Sequence, residues 1–229
     1  MASRPPIVDR ETWLQHRLAL LDLEKSHSRQ RDALARARSE LPWVAVETDY
    51  VFSGVDGPVS LLELFDGRRQ LIVYHFMYDP EWDNGCKSCS YVTDHLQGAL
   101  PHIVHRDTSV AWVSLAPLAK LTAFSARMGW SHRWVSSADS SFNADFGVSF
   151  SRTATEPGDY NYGTLQVRGE MPGLSVFVRD GERIFHTYST YSRGLDELMG
   201  TYVLLDLTPQ GRDEAQTGAM GWVRRKDEY

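Results

Sequence analysis

Cys86 and Cys89 stand two residues apart, with Lys87 and Ser88 between them, and the chain of 229 residues has no other cysteine. Shortly before them runs Leu71-Ile72-Val73-Tyr74-His75-Phe76, apolar and rich in β-formers, and directly after them Ser90 to His105 can be helical. A strand that delivers a CxxC pair to the start of a helix constrains the fold tightly, because it fixes a βα junction. It also puts a thiol where unpaired helix N–H groups can stabilise its anion. Cys86 is placed to be the nucleophile. Cys89, one helical turn on, is placed to resolve a mixed disulfide and leave a Cys86–Cys89 bond.

The compartment matters to that reading. The N-terminal Met1-Ala2-Ser3-Arg4-Pro5-Pro6 has no apolar signal core, and no apolar run approaches the roughly 20 residues that span a bilayer. A cytoplasmic protein is expected, without a membrane partner. Cysteines are kept reduced there, so a close pair is catalytic or metal-binding rather than a structural staple. Net charge is −6 with no basic block, which lacks the electrostatic footprint of a nucleic-acid binder. With 42% hydrophobic residues a substantial core can be buried.

Along the chain, Asp9 to Arg38 has the helical spacing of Trp13, Leu14, Leu18, Leu21, Ala33, Leu34 and Ala37, with Asp9 as N-cap. Pro42 ends that helix, and Trp43–Val46 and Tyr50–Phe52 read as short strands. Ser60 caps a short helix that Gly67 closes; Leu71 to Met77 is a strand buried on both faces; Ser109 to Leu115 is another, followed by a helix from Pro117 to Met128 with Gly129 as its stop. Two successive βα units imply parallel pairing with a right-handed crossover. Trp134–Ser137 is a short strand, and from Ser151 to Glu170 the pattern fades into Gly, Pro, Tyr and Asn, an insertion. Leu174–Val178, the turn Arg179-Asp180-Gly181-Glu182, and Arg183–Tyr188 form a hairpin, and Leu195 to Leu205 a closing helix. The implied division is a helical extension over 1–40, a domain over 41–210 and a polar tail over 211–229.

This order of elements, with CxxC at the first strand-to-helix junction, resembles the thioredoxin arrangement. Met171-Pro172, just before Leu174, stands where thioredoxins place a cis-proline across from the cysteines. The segments Val59–Gly67 and Phe142–Val148 resemble parts of peroxiredoxins, but Asp83 stands where their peroxidatic cysteine needs a Thr, and Pro80 is too far back. More closely still, "LIVYHFM", "LPHI", "APLAKL", "MGW", "WVSS" and "FHTYSTY" resemble the bacterial family DUF899, regarded as thioredoxin-like, over nearly the whole chain. The resemblance implies an α/β thioredoxin-like fold, a mixed central sheet flanked by helices, with a long N-terminal helix and an insertion near 151–170. The family fixes the fold better than the activity; the CxxC pair in its strand-to-helix setting is what is read as a dithiol–disulfide oxidoreductase, with no cofactor or resident metal expected. Met171, Pro172, Trp82, Lys87 and Ser88 would line the groove for a protein or small-molecule disulfide.

His75 lies near where thioredoxins keep a buried carboxylate, so it is a candidate proton carrier for Cys89, the alternative being a neutral core histidine. Lys87 favours a Cys86 thiolate; Asp79, Glu81 and Asp83 oppose it if close. Two other functions remain open. The cysteines with His95 or His186 could bind zinc or copper. Alternatively, a groove rich in Trp82, Tyr160, Tyr162, Tyr188 and Tyr191 could bind without redox turnover. The long N-terminal helix and Trp13 are read as a homodimer surface.

Overall fold

The computed structural model describes residues 5–229, and the chain divides between Pro42 and Trp43 into two units. The first holds α1, Arg10–Ser39, where Asp9 caps the helix by accepting the Thr12 N–H at 2.8 Å. Glu11 in its first turn and Arg36 and Arg38 in its last complement the helix dipole. No residue of α1 is buried. Trp13, Leu14, Leu18 and Leu23 are all exposed.

The second unit begins with β1 (Val44–Ala45), the hairpin β2 (Val51–Gly54) and β3 (Gly57–Ser60), and α2 (Leu61–Leu64). Ser60 and Glu63 form a reciprocal capping box on α2. Next come β4 (Gln70–His75), α3 (Lys87–Gln97), α4 (Leu100–His105), β5 (Thr108–Ser114), α5 (Leu118–Met128) and β6 (Arg133–Ser136). The single helix expected after the cysteines is thus two, the second opening with Pro101 in its first turn, a position that tolerates the missing N–H. Gly129 ends α5 in the left-handed conformation, φ 62°.

The region read as an unpatterned insertion is structured. After α6 (Phe142–Asp145), β7 (Ser149–Phe150) pairs with β10 (Gly169–Glu170), and β8 (Gly158–Tyr160) pairs with β9 (Leu165–Val167). Val148, Tyr160 and Tyr191 form a small core beneath them. The hairpin β11 (Gly173–Asp180) and β12 (Arg183–Tyr191) follows. The expected closing helix splits into a 3-10 turn, Ser192–Leu198, and α7, Gly200–Asp206. Residues 211–229 are not a separate tail: Val223 is fully buried, and Glu214 accepts from the Tyr202 hydroxyl, the Met220 N–H and the Trp222 indole.

The main sheet has the order β1-β12-β11-β4-β5-β6-β2-β3. β4, β5 and β6 are parallel; β11 runs antiparallel to β4, and β12 antiparallel to β11. A parallel βαβ unit joined to an antiparallel hairpin, with the cysteines after the central strand, is the thioredoxin-like fold. Side chains alternate across the sheet, so Tyr74, Phe76 and Trp112 pack with α3, α5 and α7 on one face. Leu71, Val73, Ala111 and Val113 pack with α2 and α6 on the other. The buried indoles of these layers are partnered: that of Trp112 donates to Thr93 at 2.9 Å, and that of Trp134 to Ser114 at 3.0 Å. No helix among the described residues is long and apolar enough to cross a membrane.

Candidate active site

β4 ends at His75, and the chain loops through residues 77–85 before Cys86 becomes the N-cap of α3. The Cys86 N–H donates to the Met77 carbonyl at 3.1 Å, fixing the cysteine against the end of the strand. The loop is held by cations from distant segments. Lys120 Nζ donates to the carbonyls of Pro80 (2.7 Å) and Trp82 (2.8 Å), Arg127 to Asn84 Oδ1 (2.6 Å), and Arg225 to the Gly85 carbonyl (2.8 Å). None of these clamps carries a signal in sequence, because each is made across the fold.

Gly85 is needed by close approach rather than by dihedral angle. A Cβ there would lie 2.7 Å from Phe76 and 2.9 Å from Phe124, two rings of the core. Gly85→Ala should cost about 1–3 kcal/mol through overpacking and displace the residue before Cys86. Denaturant midpoints check the first effect; slower alkylation of Cys86 checks the second.

Both cysteines are free thiols, Cys86 partly exposed and Cys89 buried. Their acidities are split. A hydrogen bond from the Cys89 thiol, and then the Cys89 and Ser88 backbone N–H groups of the first turn, lower Cys86 to about 6 against the opposing effect of burial. Burial raises Cys89 well above the ordinary thiol value, and the contact with Cys86 adds to this. Lys87 is exposed, its Nζ 3.4 Å from the Gly221 carbonyl. The leading causes at Cys86 include neither Lys87 nor Asp79, Glu81 or Asp83. Hydrogen bonds, first from the Cys89 thiol and then from the opening turn of α3, lower the Cys86 thiol.

His75 is not beside the cysteines. As an odd-numbered residue of β4 it shares the face of Val73, stacks on Phe142 and Phe146, and its Nε2 lies 2.8 Å from the Ser175 hydroxyl. Burial pushes its ring down to about 3, with His186 adding to the shift, so it stays neutral at working pH. The proton-carrier role therefore gives way to the core-histidine reading. Tyr74, one residue earlier, is on the cysteine face, in the buried cluster that contains Cys89. Strand alternation was the signal that could have identified it.

Met171–Pro172 is trans; the described residues contain no cis peptide. The Met171 N–H bonds the Val148 carbonyl at 2.8 Å and carries the extended chain from β10 into β11. Pro172 still precedes Gly173, which pairs with His75 at the cysteine end of β4. The Pro172 carbonyl accepts the Tyr160 hydroxyl at 2.6 Å, and that oxygen accepts the Ser192 N–H at 2.8 Å. Trp82 is half-buried against the core that contains Cys89. Arg152 from the insertion lies over its ring at 5.8 Å and pairs with Asp79 at 2.9 Å. The insertion therefore supplies one wall of the loop before the cysteines. Ser88 is partly exposed in the first turn of α3.

Neither histidine proposed as a metal ligand joins the pair. His95 bonds the Tyr91 carbonyl and Thr201, and His186 bonds Ser189. No group of three or more His, Cys, Asp or Glu suited to a metal occurs among the described residues. A cavity of about 610 Å³ between the β2–β3 hairpin, α5 and β6 is lined by Trp130, His132 and Trp134 and includes neither cysteine. Chemistry rather than cavity size locates the site.

Comparison with known proteins gives a family and a set of distant likenesses. The family model described as "Bacterial protein of unknown function (DUF899)" matches residues 2–229. Among solved structures, a cysteine mutant of Xylella fastidiosa PrxQ is 14% identical, with TM-score 0.46 over 71% of this chain and 94% of that one. The peroxidoxin BcpB of Mycobacterium tuberculosis is 17% identical, with TM-score 0.47 over 70% and 95%. A putative thiol:disulfide interchange protein DsbE of Chlorobium tepidum is 13% identical, with TM-score 0.45 over 72% and 98%. The search of curated protein sequences found no match.

Proposed function

Because the chain belongs to the DUF899 family, whose description names no substrate, we propose from its own residues that it is a dithiol–disulfide oxidoreductase. Cys86 attacks a substrate disulfide, and Cys89 resolves the mixed disulfide. The observation that carries this reading is the division of labour in one turn of α3: a partly exposed thiol lowered to about 6 beside a buried one raised above the ordinary range. A structural pair needs no such split. A nucleophile and its resolver do, since the first must be anionic and reachable and the second must wait. Cys86 is partly exposed, so the substrate is a protein or small-molecule disulfide presented at a surface.

Cys89→Ser, reduced and then mixed with a disulfide, should accumulate a mixed disulfide on Cys86 that intact-mass measurement reads directly. The wild-type protein should instead finish with an internal disulfide and two equivalents of released thiol. Tight stoichiometric zinc in the reduced protein, or no adduct at Cys86, would overturn the reading. The exposed apolar face of α1 is the surface that a symmetric pair of chains would cover. A light-scattering mass near 26 kDa at micromolar concentration would rule that pairing out.

A further inference from the structure

Cys86 is the N-cap of α3, with φ −56° and ψ 132°, so its N–H makes no helical bond and the helix does not fix how the residue enters it. The peptide between Gly85 and Cys86 sets that entry. On its nitrogen side the Cys86 N–H donates to the Met77 carbonyl at 3.1 Å. On its oxygen side the Gly85 carbonyl accepts twice from one guanidinium, from Arg225 Nη2 at 2.8 Å and from Nε at 3.2 Å. That arginine stands 140 positions further along the chain. A glycine has the widest backbone freedom of any residue, so a hold on its carbonyl counts for most here.

Arg225 is itself held. Its Nη1 donates to Glu228 Oε1 at 2.8 Å and its backbone N–H to Glu228 Oε2 at 3.2 Å, and its side chain is only 18% exposed, so it is no loose surface arginine. Arg127 joins the same group: it donates to Asn84 Oδ1 at 2.6 Å and pairs with Asp227 at 2.7 Å and Glu228 at 3.2 Å. Two arginines and two carboxylates thus grip the two residues before the nucleophile. The segment that carries three of these four is rooted in the core by the fully buried Val223. One residue past the nucleophile, Lys87 Nζ lies 3.4 Å from the Gly221 carbonyl, so the same segment reaches both sides of Cys86.

We infer that Arg225 is a positioning residue for the exchange: by holding the Gly85 carbonyl it locks the Gly85–Cys86 peptide and aims the Cys86 sulfur along the substrate disulfide. The inference rests on the dithiol-exchange reading and deepens it. In the first step the Cys86 thiolate attacks one sulfur of the substrate disulfide; a Cys86–substrate bond forms, and the other substrate sulfur leaves as a thiolate that takes a proton from water. In the second, Cys89 gives its proton to solvent, its sulfur attacks Cys86 Sγ, the Cys86–Cys89 bond forms, and the remaining substrate sulfur leaves and is protonated. The dithiol loses two electrons and the substrate disulfide gains two. Attack at sulfur is in line, so an error in the direction of Cys86 slows the first step even when its thiolate is fully formed.

Rapid mixing with dipyridyl disulfide, a chromogenic disulfide that releases one absorbing thione at each step, reads the attack by Cys86 as its first phase. The probe is neutral, so loss of the arginine's charge does not alter its approach. At a pH above the Cys86 midpoint, Arg225→Ala should slow the first phase about 10- to 100-fold, the effect of misplacing a reacting atom by up to about 1 Å. Its midpoint for alkylation by iodoacetamide should keep the wild-type value, because the sulfur is misdirected and its acidity untouched. Arg225→Lys keeps the charge and one donor, and its first phase should fall between the two. A merely structural arginine would lower the denaturant midpoint and leave the first phase alone, so an unchanged first phase in Arg225→Ala overturns the inference. A slowing accounted for by an upward shift of the alkylation midpoint overturns it too, since Arg225 would then act by its charge. If Arg225→Ala does not fold, Arg225→Lys decides in its place, and a wild-type first phase there is the overturning result. A first phase that persists at the wild-type rate in Cys86→Ser defeats the exchange reading itself.

Discussion

Iodoacetamide should alkylate Cys86 at least about 100-fold faster than Cys89 at neutral pH, the ratio of thiolate fractions for one thiol near 6 and another above 9. Burial of Cys89 widens the gap. The sign of the pH dependence follows from the lowered thiol. Above pH 6 Cys86 is anionic and its rate is flat; as pH falls through about 6 the thiolate is protonated, and the rate drops tenfold for each further unit. An ordinary thiol, near 9, would still be climbing across that whole range. Lys87→Ala should leave the midpoint where it is, since the donors that lower Cys86 are the Cys89 thiol and the N–H groups of α3. Removing the first of these by Cys89→Ala should move the midpoint up. A Cys86 midpoint near the ordinary thiol value would remove the main support for its role as nucleophile.

Between pH 6.5 and 4.5 the folded state should lose stability through two buried histidines. Burial pushes His75 and His132 from 6.5 to about 3. His75 Nδ1 and His132 Nε2 are buried with no partner, so an added proton would face no acceptor. The unfolded chain takes up those protons below pH 6.5, so the stability they confer is complete above that pH and is lost as pH falls toward the folded values. Two groups over two pH units come to about 5 kcal/mol. Glu170 acts in the opposite sense. Burial is the main cause that raises its carboxyl from 4.5 to about 7, with Asp79 adding and Ser149, Asn143 and Arg152 opposing. The folded protein therefore takes that proton first, and stability rises as pH falls from about 7 to 4.5, by about 3 kcal/mol across the same window. The net loss in the wild-type protein is about 2 kcal/mol, and Glu170→Gln, which cannot titrate, should lose about 5. Denaturant midpoints at the two pH values measure both, and parallel curves for the two proteins would rule out the raised Glu170.

Much of this was legible in the residues. The capping box at Ser60, the stop at Gly129, the buried strands β4 and β5 and the hairpin that follows Pro172 all come from local periodicity and turn chemistry. The segments that misled did so for identifiable reasons. Residues 151–170 lack alternation because β8 to β10 are only two or three residues long. The C-terminal residues read as a polar tail because Glu214, the residue that organises them, is itself polar. His75 has the chemical type of a proton carrier, but strand parity puts Tyr74, not His75, on the face of the cysteines.

The sequence by itself determined the fold class and the place of the candidate site: a strand, two cysteines at helical spacing and a helix are contiguous, and their geometry follows from backbone rules. Only the tertiary structure decided which groups surround the sulfurs. It turned His75 away and put Tyr74 in the buried cluster that holds Cys89. It placed Arg152 over Trp82 and Tyr160 under Pro172, and closed the cysteine loop with Lys120 and Arg225. The CxxC pair confines the proposed nucleophile to four residues, whereas the acidity of each thiol depends on burial and on the donors that the folded chain sets beside it.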